Sequence, residues 1–235
     1  MRAESFSHVG AVRKNNEDAI FCDVAAGLFA VADGIGGRQG GEIASATAVK
    51  IIEQKKTAFA TGNPGELLRE AFYEANDVLH QGGKSPELAG MGTTMTAAYI
   101  GGDHIYLVHV GDSRAYLFNR RQINQLTIDH TLVEALLQDG SISPEEAVRH
   151  PQRHVITRSL GLDTLVNPDE LEYTWSSGDY LLLCTDGLHN LVEPEEIKEI
   201  VIRAANLNSA ITFMAEQAYN RGGFDNISLV LIAHD

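Results

Sequence analysis

An α+β fold, with antiparallel sheets packed together and covered by helix pairs, is predicted by three features of the sequence. Short strand-like runs dominate its 235 residues. Several of these runs are joined by hairpin-length connections, which imply antiparallel pairing. The helical periodicities come in two pairs, one early and one late, with strands between and after them.

The strand-like runs cover residues 19–23, 28–32, 93–100, 104–110, 114–118, 122–126, 171–175, 180–184 and 227–233. Gly101-Gly102 reads as a tight link between two of them. Ala44, Ala48, Ile51 and Ile52 form one apolar helical stripe, and Leu68, Ala71, Phe72, Ala75 and Leu79 a second. Ile197, Ile200, Val201 and Ala204 repeat the pattern near the end, as do Ile211, Met214, Ala215 and Ala218. Residues 128–160 differ, holding two short helices between strands. Gly140 reads as the residue just past the first helix, and Ser143-Pro144-Glu145-Glu146 as the capped start of the second. The segment is expected to lie near a site as a lid. No repeat, low-complexity tract or linker interrupts the chain, so residues 1–235 are expected to form one domain.

A hydrophobic share of 44% supplies a substantial core. No apolar run approaches the ~20 residues of a membrane span. The opening MRAESFSHVG has no apolar h-region, and the two cysteines, Cys22 and Cys184, sit inside apolar runs as reduced core thiols would. A cytoplasmic monomer is expected. A net charge of −14 argues against nucleic acid or an anionic membrane as partner, since nothing supplies a basic footprint.

The acids fall in a pattern. In LFAVADGIGG an apolar run stops at Asp33 and meets three glycines within four residues. An Asp-Gly pair is an ordinary turn signal, and one such site decides nothing. The arrangement recurs at Asp186 in YLLLCTDGL, at Asp112 in HVGDSRAYL, at Asp225 in GGFDNISLVLIA and at Glu17-Asp18 in RKNNEDAIF. Strand ends on one edge of a sheet stack lie close in space. Carboxylates gathered there repel one another unless a divalent cation removes the problem. An all-oxygen donor set suits Mg²⁺ or Mn²⁺ better than Zn²⁺. Gly34, with no side chain, leaves its backbone carbonyl open for coordination. Two-metal sites clamp an in-line phosphoryl displacement, and Arg13 is placed to grip phosphate oxygens bidentately.

VRKNNEDA, FAVADGIGG, MGTT, HVGDSRAYL, DHTLV, HPQRHVITRSLG, LLLCTDGL and FDNISLV resemble, in order, the motifs of the metal-dependent Ser/Thr protein phosphatases, the PPM or type 2C family, in its compact bacterial branch. The match runs from about residue 8 to 232. It implies a central antiparallel β-sandwich flanked by helix pairs, a four-layer α-β-β-α arrangement, with 128–160 as a flap subdomain that influences substrate choice. The implied activity is hydrolysis of phosphoserine and phosphothreonine in phosphoproteins, by in-line attack of a water bridging two Mn²⁺ or Mg²⁺ ions. Asp33 resembles the bridging carboxylate, Gly34 the carbonyl donor to the second ion, and Asp186 and Asp225 the other ligands of the first. Glu17 and Asp18 match the acidic pair beside the ions' waters, Arg13 the phosphate-binding arginine, and Asp112 a ligand of a third, weaker ion. A Ser/Thr kinase or its substrates are the expected phosphorylated partners.

The chain departs from the family where a leaving alkoxide needs a proton. Animal members carry a His directly after the DG pair, where this chain has Ile35; many bacterial members carry one after DGMGG, where it has Arg38. A metal-bound water is expected to protonate the leaving group instead, with His189, three residues after Asp186, as the second candidate donor. Three rival readings are weaker. In GIGGRQG, a dinucleotide fingerprint would set Asp33 against a pyrophosphate and leads to no second parallel strand. GGKS at 82–85 lacks the first P-loop glycine and follows a helix, and neither cysteine has the arginine that a cysteine phosphatase needs. A catalytically weak phosphoprotein-binding or regulatory module on the same fold is the non-enzymatic alternative.

Overall fold

The computed structural model describes residues 1–36 and 40–235; Arg38 lies outside the described residues. One five-stranded sheet runs in the order β1 (Arg2–His8), β11 (Ile227–Ala233), β10 (Tyr180–Cys184), β7 (Arg114–Phe118) and β8 (Ile123–Gln125). The other runs β2 (Asp18–Asp23), β3 (Leu28–Ile35), β5 (Met95–Gly101), β6 (His104–Val110) and β9 (Asp169–Thr174), with β4 (Gly92–Thr93) paired to the end of β3. Every pairing is antiparallel.

Three apolar layers hold the sheets and helices together. Phe29, Val31, Leu107, Leu183 and Ile232 meet between the two sheets, where alternate residues of each strand point inward. On the outer face of the second sheet, Ala30 and Ala32 pack with stripes from α1 (Gly40–Lys55) and α2 (Pro64–Gly82). On the outer face of the first, Leu229 and Leu231 meet α6 (Pro194–Arg203) and α7 (Leu207–Asn220). The result is the expected α-β-β-α stack. The helical stripes bury as their spacing requires: Leu68, Ala71, Phe72, Ala75 and Leu79 are all fully buried. β3 and β11 are apolar on both faces because they lie inside the stack, so neither alternates.

Two elements differ from the sequence pattern. β1 is an edge strand, RAESFSH, in which only Ala3 and Phe6 turn inward and the rest is exposed. Its strand character comes from seven register pairs with β11, and its own alternation is too weak to reveal it. The run 93–100 is broken at Thr94, whose hydroxyl accepts from the Asp33 amide at 3.0 Å and bonds Ser113 Oγ at 2.8 Å. That side chain ties the two sheets together where their strands end.

Between β8 and β9 the chain forms α3 (Leu132–Gln138) and α4 (Pro144–Val148). Gly140 follows α3 with φ +77°, and Ser143 and Glu146 close a reciprocal capping box on α4, as the sequence predicts. The segment is tied to the sandwich by Arg114, whose Nε and Nη2 grip Asp129 at 2.9 and 2.7 Å. Both side chains are largely buried. Breaking a buried pair strands its partner and costs about 3–5 kcal/mol, whereas replacing both partners is far milder. Arg114→Ala is therefore expected to lower the urea midpoint more than the double variant Arg114→Met, Asp129→Leu.

Candidate active site

The strand register itself brings the first two acids together. Asp18 on β2 stands directly opposite Asp33 on β3, a like-charge pair that destabilises a sheet unless something intervenes. Beyond Asp33 the strand continues to Gly34, where the backbone is crowded. A Cβ there would lie 2.2 Å from the Gly41 carbonyl oxygen and 2.5 Å from that of Glu17. Only glycine fits, so the residue 16–18 turn and the start of α1 close directly on the Gly34 backbone. The Gly34 amide donates to the Glu17 carbonyl at 3.1 Å.

The other acids arrive from the ends of other strands. Asp112 sits in the tight turn between β6 and β7, where Gly111 has φ +112°. Asp186 opens α5 (Asp186–His189), directly after β10, and Asp225 precedes β11. Arg13, Glu17, Asp33, Asp112, Asp186 and Asp225 all line one cavity of about 740 Å³. Asp18 lies just behind that wall. Its Oδ2 accepts from Thr185 Oγ1 at 2.9 Å, and its Oδ1 is buried without a partner among the described residues.

Burial dominates the electrostatics, and mutual repulsion adds to it. The Asp33 carboxyl is pushed well above its ordinary range by burial, then by Asp18, Asp186, Asp112 and Asp225. Burial lifts Asp18 to about 7 despite hydroxyl donors, and Asp112 to about 7 with Asp186 adding to the effect. Asp186 rises to about 6, from burial and then from Asp225. Its Oδ2 takes a hydrogen bond from Asn190 at 3.1 Å, while its Oδ1 is buried and unpartnered among the described residues. Asp225 is held by Arg13 Nη2 at 2.7 Å.

These observations fit a hard divalent cation. Five carboxylates line the cavity against two arginines, Arg13 and Arg153, and two buried carboxylate oxygens, Asp18 Oδ1 and Asp186 Oδ1, lack a donor among the described residues. Among the described residues no three His, Cys, Asp or Glu side chains already converge as a finished cage. Two of the acids are turned aside: Asp225 leans to Arg13 and Asp186 to Asn190.

His189 does not join the cavity wall. Its Nε2 donates to the Asp112 carbonyl at 2.9 Å, its Nδ1 is buried, and burial drives its proton affinity well below the ordinary histidine value. The ring is tied to the Asp112 turn and is not among the cavity-lining residues, so the structure does not favour His189, the second candidate donor.

Three residues were not legible as site residues. Asn226 accepts from the Glu17 amide at 2.7 Å and donates to the Val9 and Asn15 carbonyls at 2.9 and 3.0 Å, so it stitches the Arg13 loop to Asp225. Arg153 and His154 line the cavity from the 128–160 segment. Position next to Asp225 was the available signal for Asn226. For the other two only the folding of a distant segment over the acids reveals the role.

The sequence profile described as "Protein phosphatase 2C" matches residues 3–135. The chain is 35% identical to the serine/threonine phosphatase stp of Listeria monocytogenes, across 100% of this chain and 96% of that one. Its structure is similar to that of the Mycobacterium tuberculosis serine/threonine phosphatase PstP/Ppp, with TM-score 0.93, 36% identity, and coverage of 100% and 98% of the two chains. It is also similar to the catalytic domain of the phosphatase PstP in complex with two manganese ions, at TM-score 0.90 and 34% identity, covering 100% and 98%.

Proposed function

This chain belongs to the protein phosphatase 2C family, and from that premise we propose that it hydrolyses phosphoserine and phosphothreonine in phosphoproteins, using two divalent ions, Mn²⁺ or Mg²⁺. The observation that carries this reading is the gathering of Asp33, Asp112, Asp186 and Asp225 on one cavity, where burial pushes the first three carboxyls above their ordinary range. A binding module has no use for so costly a concentration of charge.

Asp33, the Gly34 carbonyl, Asp186 and Asp225 would hold the two ions, with Glu17 and Asp18 beside them and Asp112 serving a third. When bound, such ions polarise the phosphoryl group and acidify a water for attack at neutral pH. The remaining work belongs to the chain. Arg13 orients the phosphate through two parallel N–H donors, a fork that fits its oxygens. It is half exposed and paired with Asp225, and would be free for phosphate if that carboxylate held an ion instead. Asn226 keeps Arg13 and Glu17 in register with Asp225, since it bonds the chain on both sides of Arg13, at Val9 and Asn15. Thr185 and Thr94 fix the ends of β2 and β3 by bonding Asp18 and the Asp33 amide.

Residues 128–160 act as the flap of this single domain, narrowing the cavity where Arg153 reaches it and meeting the protein around the phosphate. A Ser/Thr kinase or its substrates are the natural source of that protein, and the free thiols Cys22 and Cys184 suit a cytoplasmic setting. Among the described residues no helix is long and apolar enough to cross a membrane. The purified chain should hydrolyse p-nitrophenyl phosphate and a phosphothreonine peptide with Mn²⁺ or Mg²⁺ and stop on adding EDTA. Undiminished turnover in EDTA, or none with any divalent ion, would refute the reading.

A further inference from the structure

Cleaving a seryl or threonyl phosphate leaves an alkoxide, a much poorer leaving group than an aryl oxide, so a placed proton donor matters for the natural substrate. His189 is half-buried and turned to the Asp112 carbonyl. Among the described residues one histidine does line the cavity, and it comes from the flap: His154.

Its placement is specific. His154 is an exposed residue and lines the cavity together with Arg153 and Ile156 of the same segment and with the acids. The turn that carries it is pinned immediately afterwards. The Leu132 amide donates to the Val155 carbonyl at 2.9 Å, and the Thr157 amide to the His130 carbonyl at 2.8 Å. Thr131, the N-cap of α3, forms an isolated β-bridge with Ile156. The ring is therefore mounted on a short two-stranded clasp and not on a loose loop. Neither ring nitrogen is engaged in a hydrogen bond among the described residues, whereas both are in His109 and His130.

Resting on the phosphatase reading above, we propose that His154 is a catalytic residue that protonates the leaving seryl or threonyl oxygen. As the bond from water oxygen to phosphorus forms, the bond from phosphorus to the side-chain oxygen breaks and its electron pair stays on that oxygen. The imidazolium of His154 gives that oxygen its proton. The proton shed by the attacking water restores the ring through solvent, so the balance is phosphomonoester plus water to alcohol plus phosphate. Partial burial and the charge of Arg153 make the ring readier to release a proton, while Asp225 opposes them.

The test compares His154→Gln with the unmodified chain on a phosphothreonine peptide and on a series of aryl phosphates of rising leaving-group pKa. Removing a general acid costs roughly 10²–10⁴-fold where the leaving group is poor. The expected result is a fall in kcat of about 10²-fold on the peptide, a several-fold smaller fall on p-nitrophenyl phosphate, and a steeper decline across the series. Calorimetric manganese uptake should match that of the unmodified chain. An equal effect on all substrates, no effect on any, or lost manganese uptake overturns the role of His154. An unmodified chain inactive on every substrate with either ion instead sinks the phosphatase reading, and the inference with it.

Discussion

Asp33→Asn is expected to cut turnover about 10³-fold while making the ion-free protein more resistant to heat. Asp33 is the acid on which the others press: Asp18 faces it across the sheet, and Asp186, Asp112 and Asp225 each raise its proton affinity. Removing one such electrostatic contact in other active sites costs roughly 10²–10³ in kcat. A carboxylate at the centre of the cluster should reach the upper end, about 10³-fold. The neutral amide keeps the side chain's shape and relieves a like-charge pair worth up to about 1 kcal/mol. For a chain of this size that is a rise of about 2–4 °C in Tm without ions. Kinetics with Mn²⁺ and a melting scan in EDTA check the two halves separately. A variant that is inactive and also less heat-resistant would mean that Asp33 is held by donors, against the picture of a charge-starved cluster.

The stabilising effect of a divalent ion should grow with pH. Asp18 and Asp112 titrate near 7 and Asp186 near 6 in the folded chain, against about 3.9 when unfolded. The folded state thus binds more protons than the unfolded one between those values. Its stability is fullest below the unfolded pKa and is lost as pH rises through 6 to 7. His109 and His189 act in the opposite sense, because burial lowers their folded pKa, that of His109 to about 3. Their contribution rises with pH until about 6.5 and is then complete. The acid effect is therefore read cleanly above that point, or by difference. Protons compete with cations for these carboxylates, so the gain in Tm from millimolar Mn²⁺ should be larger at pH 7.5 than at pH 5.5. Ligand at 100 times its Kd stabilises by about 2.7 kcal/mol. Equal gains at both pH values would show that the ions bind somewhere other than these acids.

Strands with strong apolar content were legible to the residue: 104–110, 114–118, 180–184 and 227–233 match β6, β7, β10 and β11. Helical stripes were equally clear, since a helix buries one face and that face repeats every three to four residues. What failed was local structure sustained from outside. β1 is an edge strand held by its neighbour, and the break at Thr94 exists because that hydroxyl satisfies groups from another strand and another turn.

The site divides in the same way. Carboxylates at strand ends beside glycines, and the order of the motifs, are local facts, and they sufficed to name Arg13, Glu17, Asp33, Asp112, Asp186 and Asp225, all of which line the cavity. The sequence could not say which histidine faces it. His189 stands three residues from Asp186 yet is folded inward to hold a carbonyl, whereas His154, distant from every acid along the chain, is carried to the cavity by the flap. Spacing determines which residue types can gather at an edge of the sheets. The direction in which a side chain points depends on backbone partners far away in sequence, and only the packed tertiary structure supplies those.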